Sequence, residues 1–360
     1  MNVQLLIGMY AIICLSMIAY NCLCALWFHR RDRRMQRICN RYQSFFERGQ
    51  WPHGFGRRIL LFRLGHVNEL LAFSDALDKS GIHLTETCDA VRVLRDLLPR
   101  YVHRSDMKKA CYAHELARFR VTALSPSNEL IAFLLEMVPD GSIYRRENAM
   151  RALYASGQVS PVVQALQMID ESEHFFNDKL ITDGLLSFIG DREALIAAIW
   201  PLINQFRSKT RVAVLNFVRF GSSCWGQQML ELLKNTNDPE TAIACLRYVG
   251  RYPFPDALPA VRAEATRADS WERCAVAMTA LASYPGEETI ALLKQGLTST
   301  NWYVRSNASD SLYKLGADYA QIRDVLEGPD RYARQILNYR YQRVFGLTED
   351  VDTASEMKRS

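Results

Sequence analysis

No charged residue falls between Val3 and Phe28, no lysine between 29 and 60, no histidine after His174, and no asparagine-glycine pair anywhere. Each absence excludes something. The charge-free stretch has 26 residues, with only Gln4, Ser16 and Asn21 as clearly polar members. As a helix it would reach roughly 39 Å, longer than the roughly 30 Å hydrocarbon core of a bilayer. No Lys or Arg precedes it and no small-x-small site follows, so a cleaved signal peptide is disfavoured. The lack of hairpin turns and of period-two apolar runs argues against a sheet. Nine cysteines stand at scattered positions without a paired spacing, which suits a reducing compartment and not a disulfide framework.

What is present begins with arginine. Residues 29–60 hold nine Arg against Asp32 and Glu47, a local balance of +7, while the remaining 35 basic and 37 acidic groups balance to −2. A nucleic-acid-binding body would carry its positive charge in the folded part, so nucleic acid is not expected as a partner. The cluster Arg30, Arg31, Arg33 and Arg34 directly follows the apolar run. Positive charge stays on the cytoplasmic side, which predicts the N-terminus outside and everything after Phe28 in the cytoplasm. The same four arginines are the candidates for contact with anionic headgroups.

Further along, one phrase recurs: a large apolar residue, three others, then a helix-stopping residue. It appears at Leu153–Gly157, Leu186–Gly190, Phe217–Gly221, Leu246–Gly250, Leu281–Pro285 and Leu312–Gly316, in steps of 33, 31, 29, 35 and 31. Such a period marks stacked helical units that bury their apolar faces only on their neighbours. Ser125-Pro126, Ser160-Pro161 and Asp238-Pro239 read as N-caps followed by a first-turn proline, and Gly157, Gly190, Gly221 and Gly316 as left-handed helix stops. Lys108–Arg120 resembles the phrase but lacks the final glycine.

The stretch Asn301 to Gly316, with Val304-Arg305, small residues, Leu312 and Leu315-Gly316, resembles the second helix of a HEAT repeat. Ser270–Ser283 and Asp238–Gly250 are similar. The resemblance covers about 145–316 well and 55–140 weakly, and implies an all-α chain: a right-handed α-solenoid of HEAT-like hairpins preceded by one transmembrane helix. The expected divisions are an anchor at 1–28, a basic juxtamembrane segment at 29–54, degenerate repeats at 55–143, HEAT-like repeats at 144–328, a capping helix at 329–346 and a disordered tail at 347–360.

HEAT-like repeats include iron-dependent hydroxylases marked by several His-Glu pairs; this chain has one, His114-Glu115. One pair cannot fill three or four ligand positions, so no metal is expected. Neither a phosphate loop nor a catalytic serine elbow is present. No catalytic residue and no cofactor is therefore assigned. The concave face implied by the resemblance supplies the candidates for partner binding: Tyr154, Arg219, Arg247, Tyr248, Tyr313 and Lys314, each one or two positions after the repeated apolar residue. Tyr and Arg at such positions suit protein interfaces. The expected function is a membrane-anchored, non-enzymatic adaptor for a protein at the inner membrane face. Bacterial HEAT proteins of similar layout suggest a membrane partner such as a polysaccharide-synthesising glycosyltransferase. The alternatives are a lyase- or hydroxylase-type enzyme and a lipid or small-ligand receptor.

Overall fold

The computed structural model describes residues 3–49, 51–81, 88–174 and 176–345. Every regular element among them is helical, and the expected tail at 347–360 lies outside them. The chain divides into two compact units, Met1–Phe175 with Phe188–Asp191, and Phe176–Ser187 with Arg192–Ser360.

In the first unit the helices are α1 (Val3–Glu47), α2 (Gly54–Leu64), α3 (Val67–Lys79), α4 (Cys88–Arg95), α5 (Leu98–Tyr101), α6 (Asp106–Arg118), α7 (Val121–Leu124), α8 (Asn128–Glu136), α9 (Ile143–Tyr154) and α10 (Val159–Glu171). α1 is a single 45-residue helix. Its apolar part is exposed around the whole circumference from Met9 to Phe28, and it is long and apolar enough to cross a membrane. A helix apolar on all sides has no solvent-compatible face. The basic segment expected at 29–54 is not a separate region, because α1 runs through it to Glu47. Its last turns bury Tyr42 and Phe46 against Phe73 of α3, with ring centroids 5.4 and 5.2 Å apart.

The weak repeats of this unit share the stop geometry of the strong ones. α3 packs on α6, and α6 on α9. Four residues after the buried Leu77 stands Gly81 at φ 64°, and four after Leu153 stands Gly157 at φ 70°. Four after Leu116 stands Arg120, at φ 47°, the one non-glycine residue with positive φ among those described. The phrase at Lys108–Arg120 thus keeps the left-handed stop while placing a β-carbon where it strains the backbone.

The second unit contains α11 (Asp178–Leu186), α12 (Arg192–Ile199), α13 (Ser208–Gly221), α14 (Gly226–Asn235), α15 (Pro239–Arg251), α16 (Leu258–Ala265), α17 (Trp271–Leu281), α18 (Glu287–Leu297), α19 (Trp302–Lys314), α20 (Tyr319–Leu326) and α21 (Arg331–Phe345). The second helix of each pair packs on the second helix of the next, through α11, α13, α15, α17, α19 and α21. First helices α14, α16, α18 and α20 cover α15, α17, α19 and α21. The ladder is close-packed because its contact positions are small: a β-carbon on Gly250 would meet Cα and Cβ of Ala280 at 3.1 Å. Between α16 and α17 the buried Glu264 carboxylate accepts from Arg273 Nε and Nη at 2.7 and 2.6 Å. Paired so, neither charge is left uncompensated in the interior.

Four caps differ from the sequence reading. Ser127, and not Ser125, caps α8, accepting from Leu130 N at 3.4 Å. α10 starts at Val159, so Ser160 and Pro161 lie inside its first turn, where the proline's missing N–H still has no intrahelical partner to lose. Gly190 and Gly221 are not left-handed; Gly190 gives space instead, since a β-carbon there would lie 2.4 Å from the Gly157 carbonyl oxygen. Asp238 does cap α15, accepting from Thr241 N at 3.1 Å.

Arg120→Gly removes the β-carbon from the left-handed stop and is expected to raise stability by about 1 kcal/mol. The shift of the urea midpoint of the detergent-solubilised chain measures it, and an unchanged or lower midpoint contradicts the strain.

Candidate partner-binding face

Arg219 of α13, Arg247 of α15 and Lys314 of α19 line one hollow of about 340 Å³. Its floor comes from small residues near the C-termini of α15 and α17, among them Gly250, Thr279, Ala280 and Ser283. The Ser283 hydroxyl donates to the Gly250 carbonyl at 2.6 Å, closing the floor. Arg219 is half-buried, and its Nε is fully buried with no hydrogen-bond partner. Burial and the neighbouring Arg247 and Arg251 guanidiniums hold its pKa below the ordinary arginine value. Arg219 and Arg251 both stack on the exposed Phe220 ring, 4.4 and 5.2 Å from its centroid.

No carboxylate answers this charge. α13 contains no acidic residue, α15 and α17 carry theirs only in the first turn, as Glu240 and Glu272, and Asp310 of α19 is engaged in an ion pair with Arg340. Among the described residues none of Arg219, Arg247, Arg251 and Lys314 is in an ion pair. An anionic group entering the hollow would relieve the mutual repulsion of the cations and satisfy the buried Nε.

The other candidates are placed differently. Tyr154 is 2% exposed and Tyr248 fully buried, so both are core residues and not contact groups. The Tyr248 hydroxyl accepts from Trp225 N at 3.0 Å, and burial raises its pKa to about 12. The Tyr154 hydroxyl has no partner, and burial pushes its pKa up. Tyr313 is exposed but leans edge-on against Tyr341 at 5.6 Å, outside the hollow. Offset from the repeated apolar residue does not separate these fates: Arg247 and Tyr154 share an offset of one, Lys314 and Tyr248 of two. Rotation about the helix axis decides the outcome: Tyr154 and Tyr248 face inward, while Tyr313, Arg247 and Lys314 face outward. Arg30, Arg31, Arg33 and Arg34 are all exposed on α1.

Sequence reasoning missed the hollow's small floor and Arg251. Ala280 and Gly250 were visible as small residues beside the repeated leucines, but small residues are common there. It also missed exposed aromatics opening two second helices, Trp271 and Trp302, the former stacked on Tyr303 at 5.4 Å. His114 and Glu115 are neighbours on α6 that face different surroundings, His114 exposed and Glu115 buried. Among the described residues no group of three or more His, Cys, Asp or Glu is placed to hold a metal.

Residues 226–313, the span of α14 to α19, match the family model for HEAT repeats. A ladder of second helices covered by first helices is the packing of that class, and this span carries HEAT repeats. No curated protein matches it.

Two variants test these placements. Tyr154→Phe deletes a buried hydroxyl that has no partner, and is expected to leave stability unchanged or raise it by up to about 1 kcal/mol; a clear loss would show that the hydroxyl is bonded. For Glu115, burial raises the folded pKa above its ordinary 4.5, opposed by Ser74 nearby and by Arg118 at 3.5 Å. The folded chain then holds this proton more tightly than the unfolded one, so the group's contribution to stability grows as pH falls from neutrality toward 4.5. Glu115→Gln, neutral throughout, is expected to stabilise the chain at pH 7 by on the order of 1 kcal/mol, an advantage that shrinks on acidification. Urea titrations at pH 7 and pH 5 measure the difference; an advantage constant with pH contradicts the assignment.

Proposed function

We propose that the chain is a membrane-anchored, non-enzymatic scaffold. Val3–Phe28 crosses the membrane with the N-terminus outside, and the helical repeats hold a partner protein at the cytoplasmic face. The observation that carries this reading is the hollow where Arg219, Arg247 and Lys314 converge with no carboxylate to pair them. A surface that gathers a half-buried arginine and two exposed cations without pairing them is poised for an anionic group from outside. The partner presents acidic side chains to this face, and a membrane-bound polysaccharide-synthesising glycosyltransferase is the partner class that the layout of similar proteins suggests. The orientation follows from Arg30, Arg31, Arg33 and Arg34 directly after the apolar run.

The test is a gentle-detergent pull-down of the full chain read by mass spectrometry. A variant with Arg219→Ala, Arg247→Ala and Lys314→Ala is compared with a control of equal charge change, Lys234→Ala, Arg323→Ala and Arg331→Ala, all exposed. One stoichiometric partner is expected with wild type and control, and at least about tenfold less with the hollow variant. Equal recovery from both variants, or stoichiometric iron or a chromophore on the purified chain, would overturn the reading.

A further inference from the structure

Trp27, Arg31, Arg34, Met35 and Ile38 follow one another at helical spacing and form a single stripe on α1. The same face continues into Tyr42 and Phe46, which are buried against α3. Between Trp27 and Ile38 it stays open, and there it lines a cavity of about 710 Å³ together with Arg30 and, from the start of α3, His66, Asn68 and Glu69.

The charge inside this cavity is sorted. Glu69 is already engaged, accepting from Arg41 Nη at 2.5 Å and from the Tyr42 hydroxyl at 2.7 Å. Asp32 does not line the cavity. Arg30, Arg31 and Arg34 therefore face it without an ion pair among the described residues, Arg31 resting on the Trp27 ring at 5.6 Å. Depth is the second observation. These arginines lie two, three and six residues beyond Phe28, roughly 3 to 9 Å further along the helix axis. The headgroup layer on each side of a bilayer is roughly 5 to 7 Å thick, so Arg30 and Arg31 lie within its depth and Arg34 just above it. Trp27, at the edge of the apolar run, occupies the interfacial level favoured by its ring.

We infer that this cavity is a binding site for the phosphate of an anionic phospholipid. The guanidiniums of Arg30, Arg31 and Arg34 contact the phosphate oxygens as charge-assisted, fork-shaped donors. Asn68 and His66 meet the polar atoms of the headgroup, and Met35 and Ile38 carry its carbons. The inference rests on the proposed membrane crossing of Val3–Phe28. It goes beyond a diffuse attraction of arginine to negative lipid, because it requires particular arginines. Arg33 and Arg37 carry the same charge on the same helix yet do not line the cavity.

The experiment uses the full chain, delipidated in neutral detergent and titrated with phosphatidylglycerol or phosphatidylcholine, with bound lipid counted by native mass spectrometry. Arg31→Ala/Arg34→Ala is compared with Arg33→Ala/Arg37→Ala, two variants that lose equal charge. The expected result is one phosphatidylglycerol per chain, retained by the Arg33/Arg37 variant and weakened about tenfold or more in the Arg31/Arg34 variant, with phosphatidylcholine weak throughout. Equal weakening by both variants would reduce the effect to diffuse electrostatics and overturn the site. Displacement of the lipid by millimolar inorganic phosphate would assign the cavity to a free anion, which also overturns it. Release of the chain from cell membranes by alkaline carbonate, without detergent, would refute the membrane crossing itself, whatever the lipid titration shows.

Discussion

The structure depends on the close approach of one second helix to the next. In the ladder from α11 to α21 the contact positions are small, as the 3.1 Å between Ala280 and a β-carbon on Gly250 makes plain. A larger residue there would push the helices apart and open voids along the stack, since repeat units have no other core to fall back on. The stop after each second helix is the other half of this constraint. A left-handed residue four positions beyond the buried leucine turns the chain back at a fixed level, at Gly81, Gly157 and, under strain, Arg120 in the first unit, and at Gly316 in the second. α13 and α15 end without a left-handed residue, so Arg219, Arg247 and Lys314 meet through the packing of one second helix on the next and not through a shared stop.

How much of this could be read in the sequence follows from the range of the interactions involved. The repeated phrase reports local stops and nearest-neighbour packing, both encoded within a few residues, so a second helix such as α19, read from Asn301 to Gly316, was legible to within a residue or two. The proline signals were less legible. A serine before a proline at Ser125 or Ser160 looks like a cap, but the cap needs an extended backbone and a side chain aimed at the first turn; Ser127, at φ −148° and ψ 121°, meets both. At α10 the extended residue is Gln158, which has no side-chain cap at all. Glycine was legible as a requirement but not as a cause: Gly157 is needed for handedness, Gly190 for space.

The candidate face was half legible for a similar reason. An offset from the repeated leucine fixes height along the helix but not rotation about it, and rotation decides exposure. Tyr154 and Tyr248 turn inward, where a ring removes more apolar area from water than an arginine stem could, while Arg247 and Lys314 turn outward to keep their charge hydrated. The overall balance of −2 outside residues 29–60 concealed the hollow altogether. Net charge averages over faces: α13 has no acid, α15 carries its one acid in the first turn, where it complements the helix dipole, and Asp310 of α19 pairs with Arg340, so Arg219, Arg247 and Lys314 are left without a carboxylate.

The continuity of α1 changes what anchoring means for this chain. A disordered basic linker would let the repeats wander from the membrane, with a reach growing with the square root of its length. α1 has no such linker. From Phe28 at the end of the apolar run to Tyr42, locked against Phe73, are 14 residues of unbroken helix, roughly 21 Å. With Val3–Phe28 in a bilayer, the first unit is held at a set height and a set rotation about the anchor, because one face of α1 is bolted to α3. Rigidity of this kind lowers the cost of any contact made by the first unit, because the ordering entropy such a contact would otherwise cost has been spent in folding.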